Sequence, residues 1–157
     1  YETNDLLIMN PETGEHLGTI DLSQFADSDG LCEMDHLIMK NGFLFVAIQR
    51  LDRDYHYSPV GDSYIAVIDA AADSLFDVDP SVPGTQAIPL GAPNPFSDLK
   101  FDAAGAKILV SSVGYWGMTD GGVEIIDPFE MENDGFLITE AAAGGDINEF
   151  EILSDSK

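Results

Sequence analysis

The stretch Phe96-Ser97-Asp98-Leu99-Lys100-Phe101-Asp102, Ala103-Ala104-Gly105-Ala106, Lys107-Ile108-Leu109-Val110-Ser111-Ser112, a Gly-rich loop, and Gly122-Val123-Glu124-Ile125-Ile126-Asp127-Pro128 decides the fold. Its first run alternates apolar and polar positions, the pattern of a strand with one wet face. The second and third runs are rich in Ile, Leu and Val, as expected of strands covered on both faces. A tight Gly-containing turn joins the first pair and a long polar loop the second, so three β-strands follow one another in antiparallel order.

Outward from this stretch the chain repeats itself. Leu6-Leu7-Ile8-Met9-Asn10-Pro11, Ile65-Ala66-Val67-Ile68-Asp69-Ala70 and Val123-Glu124-Ile125-Ile126-Asp127-Pro128 superimpose, with Asn10, Asp69 and Asp127 spaced by 59 and 58 residues. Each run ends in a short polar side chain suited to bonding the backbone of the following turn. Leu37 and Met39 correspond to Leu99 and Phe101, and Phe150 and Ile152 extend the series. Asn41-Gly42 between two apolar runs, Met34 to Met39 and Phe43 to Ile48, is a strong hairpin signal. Further edge strands are expected over 16–22, 85–90 and 136–139, and a last alternating strand over 147–153. A period near 58 with four strands per unit predicts an all-β chain, a β-propeller of four-stranded antiparallel blades. The period exceeds that of a WD repeat, and no Trp-Asp dipeptide occurs.

The expected division of residues 1–157 is one propeller segment: part of a blade over 1–31, blades over 32–90 and 91–140, and the first strand of another over 146–154. Eleven strands do not close a ring, so the arc is expected to be completed by further chain or a partner, since each blade needs neighbours on its faces. Rearrangement into a compact sandwich or barrel is the alternative. Tyr1 fits an internal residue of a longer or processed protein.

The stretch from Phe96 to Ser112, with Gly122 to Asp127, resembles the YVTN-type β-propeller repeat: an inner strand, a Gly-containing turn, and two apolar strands, the last ending Ile-Asp. Ile65 to Asp69 is a second match and Leu6 to Asn10 a weaker one, and the long second-to-third strand loops depart from the pattern. The resemblance implies a scaffold shared by surface proteins, lactonases and quinoprotein-like enzymes, and carries no activity with it.

Charge narrows the partners. Against 29 acidic residues stand 6 basic ones, a net charge of −23. Nucleic acid needs a basic footprint and is excluded, and an anionic membrane surface is disfavoured. No run reaches the ~20 apolar residues of a membrane span. The acidity fits a secreted or high-salt protein, and the expected location is extracytoplasmic: secreted, periplasmic or cell surface. Cys32, the one cysteine, forms no intrachain disulfide and no zinc or haem motif, and fits a buried core position.

Strand order places the loops 23–33, 51–63, 91–95, 114–122 and 141–146 at one end, and these are the longest. Long loops on a rigid scaffold are where function concentrates. Two of them carry aromatics at equivalent places, Tyr55-His56-Tyr57 and Tyr115-Trp116, suited to stacking on a glycan or anchoring a protein partner; the same rings would otherwise cap the blades. Asp27-Ser28-Asp29-Gly30 has the alternating carboxylates and Gly turn of a calcium loop, with Asp27 and Asp29 as the ligands, but lacks the later Glu of a full one. Calcium is thus the one cofactor the pattern admits. No nucleophile motif or phosphate-cradling loop is present. The expected function is a binding or scaffold module presenting its long loops to a protein or glycan partner. The alternative is a fragment of a propeller enzyme, a lactonase-like hydrolase or quinoprotein-like dehydrogenase, whose metal or cofactor would sit between inner-strand groups such as Asp35, His36, Asp98, Asn148 and Glu149.

Overall fold

The computed structural model describes residues 3–153. Strands β1 (Asp5–Met9) and β2 (His16–Asp21) form a two-stranded antiparallel sheet. A single 3-10 turn at Ser23–Phe25 leads toward β3 (Met34–Lys40) and β4 (Phe43–Ile48). A small hairpin, β5 (Leu51–Asp52) with β6 (Ser58–Pro59), precedes β7 (Tyr64–Asp69), β8 (Ser74–Phe76) and β9 (Ile88–Pro89). The order β3-β4-β7-β8, with β9 also on β7, makes the middle sheet. Strands β10 (Pro95–Asp102), β11 (Lys107–Ser112), β12 (Gly122–Asp127) and β13 (Glu132–Thr139) form the third sheet in sequence order, and one helical turn, α1 (Glu140–Ala143), follows. The chain is nearly all-β and its sheets are antiparallel.

The three sheets stack in series because β4 and β7 are apolar on both faces. Phe45, Ala47, Ile65 and Val67 pack with Leu99, Ile108, Val110 and Ile126 of the third sheet. The alternate residues Val46, Ile48, Ala66 and Ile68 pack with Ile20, Leu22 and Cys32 on the other side. The period-2 alternation of side chains sends every second residue to each neighbour.

The repeat is visible as geometry. Asn10 Oδ1 accepts from the N–H groups of Glu12 and Thr13, Asp69 Oδ1 from Ala71 and Ala72, and Asp127 Oδ1 from Phe129 and Glu130, at 2.7 to 3.2 Å. The expected turn chemistry is therefore built three times. The first strands of these two sheets share an irregularity too: register shifts between Met34 and Leu37 in β3, and between Pro95 and Leu99 in β10. Asn41 and Gly42, with φ of 53° and 84°, make the expected tight hairpin between β3 and β4.

Among the described residues the sheets lie face to face in series and no closed propeller or barrel forms. Three expectations about strands and loops are corrected. The edge strand expected over 85–90 is shortened to β9, and a strand not expected from the sequence, β8, pairs with β7 ahead of an excursion that contains Pro80 and Pro83, which cannot donate to a ladder. That excursion is tied off by Asp77 Oδ1, which accepts from Asp79 N and Gln86 N. Among the described residues the stretch expected as a strand over 147–153 adopts no strand conformation; Ser111 Oγ donates to Ile147 O, and Lys100 Nζ donates to Phe150 O and to Glu151 Oε2 at 2.6 and 2.7 Å. Residue 154 of that expected strand lies outside the described residues. The loop expected over 141–146 begins instead within α1, which Thr139 caps through its Oγ1 and Gly144 ends at φ 89°.

The two-stranded sheet differs from the others in what it leaves uncovered. Leu7, Met9 and Leu17 on its outer face are about half exposed, and so are Leu37 and Met39 on β3. A groove of about 310 Å³ runs along β1 between Leu7 and Ile8 on one side and Leu37, Met39 and Leu44 on the other. No helix among the described residues is long and apolar enough to cross a membrane.

Basic residues are few and each described one is engaged. Lys40 sits 3.4 Å from the centre of the Phe101 ring, joining β3 to β10. Lys107 bridges Asp127 and Asp134, so its ammonium is pushed up to about 12, first by the Asp127 bond and then by Asp134, while the same bond holds the Asp127 carboxyl below its ordinary value of 3.8. A lowered carboxyl stabilises the fold above its ordinary value and loses that contribution as pH falls toward the folded value. Lys107→Met should therefore lower the melting temperature relative to wild type from pH 5 to 9, and the gap should close below about pH 3.8 as Asp127 protonates. Parallel thermal melts of the two proteins across pH test this; a gap unchanged at pH 2.5 contradicts it.

Candidate functional site

At one end of the stack the loops are fastened by buried polar side chains. Glu33, fully buried just before β3, accepts from Leu51 N at 2.9 Å through one oxygen and from Arg53 Nε at 3.2 Å through the other. Glu140 accepts from Gly121 N and Ile147 N, and Glu124 accepts from Gly91 N, Ala92 N and Asn133 Nδ2. A buried carboxylate is tolerated when such donors replace its water. Each thereby holds a loop against the end of a strand.

The second and third sheets repeat one fastening. Gln49 N donates to Glu33 O, and Val113 N donates to Asn94 O, both at 2.9 Å. Asn94 thus occupies in the third sheet the place Glu33 holds in the second. Ser63 Oγ donates to Gln49 O at 2.7 Å and accepts from Asn94 N at 3.0 Å. Gln49 Nε2 then donates to Asn94 Oδ1 at 2.9 Å, so two buried amides bridge the sheets. Among the described residues no group donates to Gln49 Oε1.

Above this bridge stand the aromatic loops. Tyr55, His56 and Tyr57 form the tip of the β5–β6 hairpin, with His56 and Tyr57 both left-handed at φ 57° and 55°. Non-glycine residues adopt that region at a cost. Asp52 Oδ1 offsets it by accepting from Asp54 N and Tyr55 N. The facing loop is closed by Asp120 Oδ1, which accepts from Tyr115 N, and by Gly117 N, which donates to Asp146 Oδ2 at 2.8 Å. Gly121 has no alternative here: a Cβ at that position would collide with the backbone oxygen of Ser112. The Trp116 ring meets Phe96 edge-on, with centroids 5.5 Å apart. Tyr115 Oη donates to Pro59 O at 3.0 Å, joining the two aromatic loops directly.

The result is an open cleft of about 300 Å³ lined by Gln49, Leu51, Tyr57, Asn94, Phe96 and Trp116. Tyr57 and Trp116 are brought together as its walls, 55% and 52% exposed. Tyr115 lies beside it as the tie between loops. Tyr55 and His56 are exposed at the hairpin tip, with ring centroids 5.8 Å apart, and do not line the cleft. Gln49, Leu51, Asn94 and Phe96 were not legible as site residues. Gln49 follows an unbroken apolar strand and Asn94 sits in a run of turn formers, so neither position stands out before the sheets are stacked.

The carboxylates of the expected calcium loop serve the loop itself. Asp27 Oδ1 accepts from Asp29 N, Asp29 Oδ1 accepts from Leu31 N, and Asp29 Oδ2 lies 3.6 Å from Arg53 Nε. Burial, before any other cause, raises the Asp27 carboxyl above its ordinary value. Cys32 is buried and its thiol is pushed up to about 11, chiefly by burial and then by Glu33, which keeps it protonated and poorly nucleophilic. On the inner strands His36 Nδ1 lies 3.1 Å from Asp35 Oδ2, and Asp98 pairs with Lys100 at 3.1 Å. No group of three or more His, Cys, Asp or Glu side chains among the described residues comes together to hold a metal ion.

The chain matches no protein-family model, no curated protein and no solved structure.

The tie between the loops gives a direct test. Tyr115→Phe keeps the ring and removes the donor to Pro59 O, and should cost about 1 kcal/mol of stability. Urea unfolding should register this as a lower midpoint with unchanged slope. An unchanged midpoint would mean that the bond contributes nothing in solution.

Proposed function

We propose that this chain is a segment of a β-propeller built from YVTN-type repeats, and that it acts as an extracytoplasmic binding module which takes a protein or glycan partner on its long-loop face. The single observation that carries the binding role is the cleft that exposed Tyr57 and Trp116, from two different loops, line together with the buried amides of Gln49 and Asn94. Concave, mostly apolar clefts with a few convergent polar groups are where ligands bind, and exposed aromatic anchors dominate binding energy.

Three features support the propeller reading. The repeated turn carboxylates and the matching register shifts in β3 and β10 give the second and third sheets one construction. The sheets part toward their outer strands, where a cleft of about 520 Å³ opens between Val78, Pro89, Met131 and Asn133. Strands β1 and β2 match the last two strands of the other sheets, and the apolar groove along β1 lies where β3 and β4, or β10 and β11, lie in those sheets. On this reading the exposed Leu7, Met9, Leu37 and Met39 are blade surfaces awaiting cover.

Two outcomes follow. Residues 1–157 alone should self-associate in sedimentation, increasingly with added NaCl as the net charge of −23 is screened; a strictly monomeric species at all salt concentrations would count against the segment reading. Replacing Tyr57 and Trp116 together by Ala should remove about 2 kcal/mol or more of partner binding and change stability by less than about 1 kcal/mol. Peptide display and glycan panels selected on the wild-type protein supply the partner. A double variant that binds as well as wild type sinks the cleft as the contact surface.

A further inference from the structure

We infer that the cleft between Tyr57 and Trp116 is a subsite for one neutral, hydroxyl-bearing ring, a pyranose unit of an uncharged glycan. This rests on the loop-face reading above and narrows the partner to one chemical class.

Charge is the first argument. The protein carries a net −23, yet no carboxylate, ammonium or guanidinium lines the cleft. An anionic ligand would meet the field of the whole molecule with no counter-charge to hold it, and a cationic one would find no carboxylate in the cleft. A neutral ligand avoids both costs.

Shape and surface are the second. About 300 Å³ is the small end of the range for ligand sites, suited to one ring rather than an extended molecule. The Trp116 ring packs edge-on against Phe96, and Tyr57 stands on a left-handed hairpin tip whose turn is tied through Asp52. Two half-exposed aromatic rings match a pyranose, whose C–H faces are apolar while its rim is polar. A flexible apolar chain would use the walls and waste the floor.

The floor is the third. Gln49 and Asn94 are almost wholly buried, and Gln49 Nε2 is spent on Asn94 Oδ1. Gln49 Oε1 finds no donor among the described residues. A buried acceptor left without a donor is a standing cost. Oε1 has almost no surface open to the cleft, so a ring hydroxyl donates to it only as the Gln49 amide turns outward on seating, which relieves a cost that an apolar ligand of the same size would leave in place. Such a site discriminates in favour of ligands that bring the missing donor.

Trp116 is the only tryptophan in the chain, so its emission reports on the cleft directly. Neutral hexasaccharides of glucose, mannose, xylose and N-acetylglucosamine, with hexagalacturonate as the anionic comparison, are titrated against the protein. A panel of display-selected peptides is titrated in parallel. The expected result is a saturable shift in Trp116 emission with at least one neutral oligosaccharide and none with hexagalacturonate. Tyr57→Ala and Gln49→Leu should each weaken that binding by about tenfold or more, while Phe129→Ala, at an exposed turn on another part of the molecule, should leave it unchanged. Should Gln49→Leu fail to fold, Tyr57→Ala at the exposed hairpin tip still decides the outcome. Peptides that shift Trp116 while no neutral saccharide does would overturn the carbohydrate assignment and leave the loop-face reading standing. Silence from both panels would overturn both, and saccharide binding indifferent to Tyr57→Ala would place the sugar elsewhere.

Discussion

Everything in this molecule depends on the two-faced burial of β4 and β7. Neither strand has a polar face to offer water: Phe45, Ala47, Ile65 and Val67 point one way and Val46, Ile48, Ala66 and Ile68 the other, all buried. At roughly 25 cal/mol per Å² of apolar surface, exposing either face would forfeit more than a small domain's net stability. The neighbouring sheets are therefore conditions of the middle sheet's existence rather than additions to it. The same logic fails at the outer face of β1 and β2, where Leu7, Met9 and Leu17 have no such neighbour.

A chain with so many carboxylates and so few cations must satisfy buried acids without ion pairs. It does so with backbone. Glu124 and Glu140 are buried and held by N–H groups and one amide, with no basic partner among the described residues. Glu33 alone of the three takes a guanidinium as well. The scarce lysines are placed where one cation serves two acids or crosses between sheets, as Lys107 does with Asp127 and Asp134, and Lys40 with Phe101. The excess acidity stays at the surface, where solvent and salt screen it.

The sheet strands were largely legible because their signals are local. Alternation, the Asn41-Gly42 turn and the polar residue closing each repeat are properties of a few adjacent residues, and the structure builds them as expected. What failed to be legible depends on partners distant in sequence. A strand over 147–153 needs a neighbouring strand, and among the described residues the stretch forms none. The edge over 85–90 shortens to β9 because β8 takes part of the β7 edge first and the excursion with Pro80 and Pro83 intervenes before the chain returns. At the cleft, Tyr57 and Trp116 were visible as exposed aromatics, but Gln49 and Asn94, 45 residues apart, become a floor only when two sheets stack.

That distance explains why the cleft is rigid rather than adaptable. Its floor belongs to the same inter-sheet contact that buries Phe45 and Val110, so it cannot open without separating the sheets. Its walls are loops, ordinarily the mobile part of a β-protein, yet Tyr115 binds one to Pro59 of the other, and Asp146 holds Gly117 from a third. The left-handed backbone at His56 and Tyr57 costs free energy, and the hairpin that carries it also supplies Leu51 N and Arg53 Nε to Glu33 and Pro59 O to Tyr115. A preset cleft loses little freedom when filled, which is how so small a surface can hold a ligand.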